Sequence, residues 1–272
     1  MSRVKERKRI TKADLQQRKG GAKISMVTCY DSAFARIIDK SPIDCVLVGD
    51  SLGNVMLGYE DTLKVSIDEM IHHTAATARG LTIPMLIADM PFGSYQASDD
   101  DALQNAIDLV KQGGAQAVKV EGAGTTVDRV QAIVSAGIPV VGHLGFTPQK
   151  INEFGGYRVQ GRGEAAGRQI LEDAKKLEQA GCFMLVLEMV PDGIARQITE
   201  LLKIPVIGIG AGLHCDGQVL VIHDLLGFDD EFSPKFLKKY ADLNGIIRGA
   251  LDCYDNDVKN GTFPSAENSY AD

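Results

Sequence analysis

Residues 83–122, IPMLIADMPFGSYQASDDDALQNAIDLVKQGGAQAVKVEG, decide the fold class. Ile83 to Ala88 is an apolar run without polar alternation, and Ala117 to Val120 is another. Strands that are apolar at every position are covered on both faces, as in a parallel sheet whose crossovers are helices. Between the two runs, Asp99 to Gln112 carries Leu103, Ala106, Ile107 and Val110 on one helical stripe. Ser98 stands where an N-cap belongs and Gly113 where a helix ends. The stretch therefore reads as one strand–helix–strand unit.

The same pattern extends in both directions. Apolar runs recur at Ile24 to Cys29, Cys45 to Val48, Ile138 to Val141, Met184 to Leu187, Val206 to Ile209 and Val219 to Ile222, making eight in all. Helical segments fall at Ser66 to Arg79, Thr126 to Ser135, Glu164 to Ala180, Ile194 to Leu202 and Pro234 to Leu251, with Gly80, Gly137 and Gly181 as further helix ends. Eight strand–helix units in roughly 250 residues predict an α/β fold, a (β/α)8 TIM barrel in a single domain. An open doubly wound sheet is the structural alternative. The expected organisation is a basic N-terminal arm with a short helix at Lys12 to Arg18 (1–23), the barrel (24–254) and a polar C-terminal tail (255–272).

Composition narrows the function. The chain has 272 residues, 44% hydrophobic and 24% charged, enough to bury one sizeable core. Its 29 Lys+Arg against 36 Asp+Glu give a net charge of −7, which opposes attraction to nucleic acid or to an anionic membrane surface. The basic residues between Arg3 and Lys23 lack the apolar core of a secretory signal, and no apolar run approaches the roughly 20 residues of a membrane span. Five scattered cysteines without a C-x-x-C pair fit a reducing compartment. A cytoplasmic enzyme acting on small molecules is expected.

In such a barrel, chemistry belongs at the C-terminal ends of the strands. The unusual polar residues stand there: Asp50 and Ser51 after the second run, Asp89 after the third, Lys119 and Glu121 at the fourth, His143 at the fifth and Glu188 at the sixth. A lone Asp after a strand is an ordinary turn former. Asp50, Asp89 and Glu121, however, end three consecutive runs and should share one sector of the mouth. Two unit charges about 4 Å apart repel by about 4 kcal/mol at an effective dielectric of about 20, so carboxylates gathered there need a cation. Oxygen ligands without cysteine favour Mg2+ over Mn2+, Ca2+ or Zn2+.

Lys119 lies two residues before Glu121 and shares its strand face, where its charge suits a substrate carboxylate. Glu188 sits between Met184-Leu185-Val186-Leu187 and Met189-Val190-Pro191, a setting expected to raise its pKa by desolvation and to suit a general base. Pairing with the bound cation is its alternative role. His143 is open between packing and facing a ligand, while His72, His73, His214 and His223 read as structural. Gly208-Ile209-Gly210-Ala211-Gly212 reads equally as a phosphate cradle or as close backbone packing.

Longer strings carry a family resemblance. They include Leu47-Val48-Gly49-Asp50-Ser51-Leu52-Gly53, Ala88-Asp89-Met90-Pro91-Phe92, Val118-Lys119-Val120-Glu121-Gly122 and Gly142-His143-Leu144-Gly145-Phe146-Thr147-Pro148-Gln149. Phe154-Gly155-Gly156-Tyr157-Arg158, Leu187-Glu188-Met189-Val190-Pro191 and Asp216-Gly217-Gln218-Val219 add to them. From about residue 11 to 264 the sequence resembles the ketopantoate hydroxymethyltransferase family. The resemblance implies transfer of a hydroxymethyl group from 5,10-methylenetetrahydrofolate to 3-methyl-2-oxobutanoate, giving 2-dehydropantoate for pantothenate, through an Mg-stabilised enolate. It implies Mg2+ at Asp50, Asp89 and Glu121, the oxo acid at Asp50, Ser51, Asp89 and Lys119, Glu188 as proton acceptor, and a homo-oligomer, commonly a decamer. Lys64 departs from the proline of many relatives. The competing readings are a metal-independent Schiff-base aldolase using Lys119 and a noncatalytic small-molecule-binding barrel. No compact basic or aromatic cluster announces a folate pocket.

Overall fold

The computed structural model of the chain describes residues 8–271, so the basic residues from Arg3 to Arg7 lie outside the described residues. Eight parallel strands form the sheet: β1 (Ile24–Thr28), β2 (Cys45–Val48), β3 (Met85–Asp89), β4 (Ala117–Glu121), β5 (Val140–Gly145), β6 (Met184–Glu188), β7 (Val206–Ile209) and β8 (Gly217–Leu220). They pair in chain order, and β8 closes onto β1. A doubly wound sheet would be open and out of order, so the closed barrel is the fold.

The helices are α1 (Lys12–Gln16), α2 (Ser32–Asp39), α3 (Leu52–Val55), α4 (Ile67–Ala78), α5 (Asp99–Lys111), α6 (Thr126–Ser135), α7 (Ile151–Phe154), α8 (Glu164–Ala180), α9 (Asp192–Leu201), α10 (Ile222–Leu226) and α11 (Leu243–Asn260). Ser66 and Ser98 cap α4 and α5 as expected, each accepting from the backbone N–H three residues on. The four helix-ending glycines divide by cause. Gly137 and Gly181 take left-handed φ of 89° and 106°, whereas a Cβ on Gly80 would sit 2.6 Å from Ala35 Cβ. Gly80 is there for close packing.

The chain's internal contacts define two compact units, residues 1–221 and 222–272. The second holds α10 and α11, and within it Tyr240 N donates to Leu225 O and Asn244 N to Gly227 O. The helix expected at Pro234 to Leu251 is found at Leu243–Asn260 instead. Asp242 caps it by accepting from Gly245 N, and Gly261 ends it at φ 71°, so the helix continues beyond residue 254. The N-terminal helix is also shorter than expected, ending at Gln16. Among the described residues no helix is long and apolar enough to cross a membrane.

Inside the barrel the core alternates along each strand. Cys45 and Leu47, Met85 and Ile87, Ala117, Val141, Met184 and Val186, Ile207 and Val219 form one buried cluster. Ile10 and Leu15 join it from the N-terminal side, where Ile10 N donates to Ile83 O ahead of β3. The apolar layers thus fill the start of the barrel and leave its other end to polar groups.

Candidate active site

Continuing the alternation carries the inward face of each strand from apolar to ionisable residues. Met85 and Ile87 lead to Asp89, Ala117 to Lys119 and Glu121, Val141 to His143, and Met184 and Val186 to Glu188. Strand register then sets neighbours side by side: Asp89 opposes Lys119, and Glu121 opposes His143. Lys119 Nζ lies 3.1 Å from Asp89 Oδ1 and 3.4 Å from Glu121 Oε1. His143 Nδ1 lies 3.2 Å from Glu121 Oε1, and its Nε2 lies 3.3 Å from Glu188 Oε2. His143 is therefore no packing residue; it spans two carboxylates. Its shared inward parity with Glu121 and Glu188 was the signal in the sequence.

These groups are buried and set one another's charge. Burial, followed by the Glu121 and Asp89 charges, holds the Asp50 carboxyl well above its usual range. Burial likewise raises Asp89, with Lys119 opposing. Glu121 goes the other way: burial pushes it up, but Lys119 and His143 outweigh that and hold it at about 2. For Lys119, burial lowers and Asp89, Glu121 and Asp50 raise, and the carboxylates prevail. Burial and the Lys119 charge push His143 down, yet Glu121 and the hydrogen bonds to Glu121 and Glu188 carry it up to about 9. Glu188 keeps 17% of its side chain exposed, so the apolar enclosure expected of it is incomplete.

Loops complete the site. Ser51, in the turn after β2, has its Oγ 2.8 Å from the hydroxyl of buried Tyr30. Asp89 Oδ2 accepts from Asp50 N at 3.0 Å, which ties the β2 turn to β3. Directly after Glu188, Met189 adopts φ 49°, a left-handed conformation rare for a side-chain-bearing residue, and turns the chain at the mouth. A Cβ on Gly145 would lie 2.2 Å from Glu188 O, so β5 and β6 meet there only through glycine. Gln149 and Tyr95, to which sequence reasoning gave no role, are buried among the carboxylates.

Asp50, Asp89 and Glu121 do reach one sector, but Lys119 stands between Asp89 and Glu121 and already supplies part of the compensating charge. Among the described residues no three Asp, Glu, His or Cys side chains form a ready cage for an ion. Mg2+ is commonly held by one or two carboxylates with water and substrate completing its shell. Asp50 and Asp89 fit that demand, since Asp89 Oδ1 is buried with the Lys119 ammonium 3.1 Å away but no aligned hydrogen-bond donor. In the glycine run at the end of β7, a Cβ on Gly212 would overlap Asp192 Oδ1 and one on Gly208 would lie 3.0 Å from Cys215 Sγ, so close packing requires glycine at these two positions. His73 Nδ1 lies 2.7 Å from Tyr30 O, as befits a structural histidine.

Comparison with known proteins adds identity to this geometry. Phosphonopyruvate hydrolase, in two crystal structures of which one is a complex with oxalate and Mg2+, superposes with TM-scores of 0.64 and 0.61 at 9% identity, covering 97% and 95% of this chain and 92% and 93% of the hydrolase. 2,3-Dimethylmalate lyase, of the PEP mutase/isocitrate lyase superfamily, gives 0.59 at 13% identity over 95% of this chain and 91% of the lyase. At such identity the likeness is one of fold. Sequence relatives are far nearer. The 3-methyl-2-oxobutanoate hydroxymethyltransferase of Syntrophus aciditrophicus is 51% identical over 98% of both chains. That of Syntrophotalea carbinolica is 53% identical over 97% of this chain and 99% of its own. Residues 9–266 match the family model for ketopantoate hydroxymethyltransferase. With nearly the whole length matched, the chain is a hydroxymethyl-transferring enzyme and belongs to the ketopantoate hydroxymethyltransferase family.

Proposed function

We propose that the chain transfers a hydroxymethyl group from 5,10-methylenetetrahydrofolate to 3-methyl-2-oxobutanoate, giving 2-dehydropantoate. The observation that carries this reading is the buried charge cluster running from Asp50, Asp89 and Lys119 through Glu121 and His143 to Glu188, the last pair 3.3 Å apart. Asp50 and Asp89, with Glu121 nearby, would hold the Mg2+, which would supply Lewis acidity for the keto group of the substrate. Lys119 adds a fixed positive charge for the substrate carboxylate, and Ser51 offers a hydroxyl oriented by Tyr30. Glu188 takes the proton from C3. The electron pair left there forms the new carbon–carbon bond to the one-carbon unit, whose bonds to the folate nitrogens break and whose hydroxyl oxygen comes from water.

A Schiff-base route through Lys119 requires a neutral amine. Asp89 and Glu121 instead hold this lysine as the ammonium, above its usual range against the effect of burial. Borohydride treatment in the presence of substrate is expected to leave Lys119 unmodified. The family resemblance also supports a cytoplasmic homo-oligomer, commonly a decamer.

Deuterium exchange at C3 of 3-methyl-2-oxobutanoate, followed by NMR without the folate donor, tests the assignment. Exchange is expected in the wild type, to stop with EDTA, and to fall by about 10²–10⁴-fold in Glu188→Gln, the usual worth of a general base. Exchange that survives both chelation and this substitution contradicts it.

A further inference from the structure

Gln149 follows β5 in a short helical turn begun by Pro148, and it touches carboxylates from β4 and from the turn after β2. Its Nε2 donates to Asp50 Oδ2 at 2.9 Å and to Met90 O at 2.9 Å, while its backbone N–H donates to Glu121 Oε2 at 3.1 Å. Its Oε1 accepts from Tyr95 O–H at 2.7 Å and from Gln96 Nε2 at 3.2 Å. Tyr95 is fixed in turn, its hydroxyl oxygen accepting from Glu121 N at 3.1 Å.

This pattern admits one orientation of the amide. Turned over, the Gln149 carbonyl would face a carboxylate oxygen and a main-chain carbonyl, two acceptors, and its NH2 would face Gln96 NH2. A glutamine so held fixes how Asp50 and Glu121 present themselves. It occupies Asp50 Oδ2 and Glu121 Oε2, and Glu121 Oε1 is engaged by His143 and Lys119. Glu121 is thereby held back, which leaves for an ion the other oxygen of Asp50 and Asp89 Oδ1, an oxygen with no aligned hydrogen-bond donor and only the Lys119 ammonium 3.1 Å away.

We propose that Gln149, oriented by Tyr95, is the positioning residue of the metal-binding carboxylates, clamping Asp50 and Glu121 from the β5 loop so that the ion site exists before substrate arrives. This rests on the reading that Asp50 and Asp89 hold a divalent ion. Partners that orient metal ligands are typically worth about 10–100-fold in metal affinity.

The test is calorimetric titration of MgCl2 into substrate-free enzyme for the wild type, Gln149→Met and Tyr95→Phe, with thermal unfolding and steady-state kinetics beside it. Gln149→Met keeps the length and removes the amide. Its Mg2+ dissociation constant is expected to rise about 10–100-fold, and saturating Mg2+ should restore most of kcat. Tyr95→Phe, which leaves every Gln149 atom in place, should weaken Mg2+ in the same direction by a smaller factor. Mg2+ affinity unchanged in both variants, whatever the melting temperature does, overturns the proposal; if Gln149→Met does not fold, Tyr95→Phe decides alone. A wild type that binds no Mg2+ instead sinks the metal reading itself, and the positioning role with it.

Discussion

Lys119 shows how one side chain answers the electrostatic demand that its neighbours create. Three acidic residues ending consecutive strands call for a cation, and the protein supplies one: an ammonium 3.1 Å from Asp89 and 3.4 Å from Glu121. Removing it leaves two buried carboxylates with an uncompensated charge, a defect that typically costs about 3–5 kcal/mol. Lys119→Met is therefore expected to lower the unfolding free energy by about that amount in urea denaturation with EDTA present, and added Mg2+ should recover part of the loss by binding the folded state. A variant as stable as wild type in EDTA would mean that the carboxylates are neutralised otherwise. At this scale the sequence was informative wherever strand parity applied. Lys119 and Glu121 share a face because they are two apart, and the same rule carries Val141 to His143 and Val186 to Glu188. Gln149 and Tyr95 were out of reach, because each sits in a loop where no period links its position to the strands it touches.

Among the elements, those with a local cause were legible and those without were not. Ser66 and Ser98 cap α4 and α5, and Thr126 to Ser135 and Glu164 to Ala180 are helical at the expected bounds, since caps and apolar stripes are written in adjacent residues. The last helix lay elsewhere because its start depends on Asp242 turning back to Gly245 N, while Pro234 lies in a separate turn closed by Leu237 N. α10 makes its own prediction. Its half-buried Asp224 is held up at about 6, by burial first and by Asp229 next, with Lys239 opposing. A folded-state value above the ordinary 3.8 means that the folded state keeps its proton longer than the unfolded chain does. The contribution of this carboxyl to stability is thus fully present below about pH 4 and is lost as pH rises through about 6, above which both states have ionised. Partial exposure limits the loss to about 1 kcal/mol, or about 2–4 °C. Asp224→Asn lacks that decline: its melting temperature should exceed wild type's at pH 7.5 and match it at pH 4. A gain that is the same at both values would assign the effect to something other than this carboxyl.

For the barrel as a whole, the critical event is closure of the last strand onto the first, and one buried carboxylate stands at that seam. Asp216 accepts from Gly20 N at 3.0 Å through Oδ1, and from Val206 N at 2.9 Å and Lys19 Nζ at 2.7 Å through Oδ2, while its backbone oxygen accepts from Ile24 N. Lys19 Nζ also donates to Thr199 O at 2.6 Å. The segment after α1, the end of α9 and the starts of β7, β8 and β1 therefore meet on one ion pair whose members lie 197 residues apart in sequence. Gly217 comes next, and a Cβ there would lie 2.3 Å from Ile24 O, so the seam admits no side chain at that point. The Asp-Gly pair was visible in the sequence; what it joins was not, because closure is a property of the complete ring and of no single strand–helix unit. The two partners should not be equivalent. Asp216→Ala strands three donors at once, one of them a mostly buried ammonium, and is expected to cost about 3–5 kcal/mol. Lys19→Met leaves Asp216 with the N–H groups of Gly20 and Val206, and so should cost distinctly less. Urea unfolding of the two variants measures the difference. Equal costs would reduce Asp216 to half of an ordinary salt bridge; the expected asymmetry makes its carboxylate the acceptor around which the ring closes.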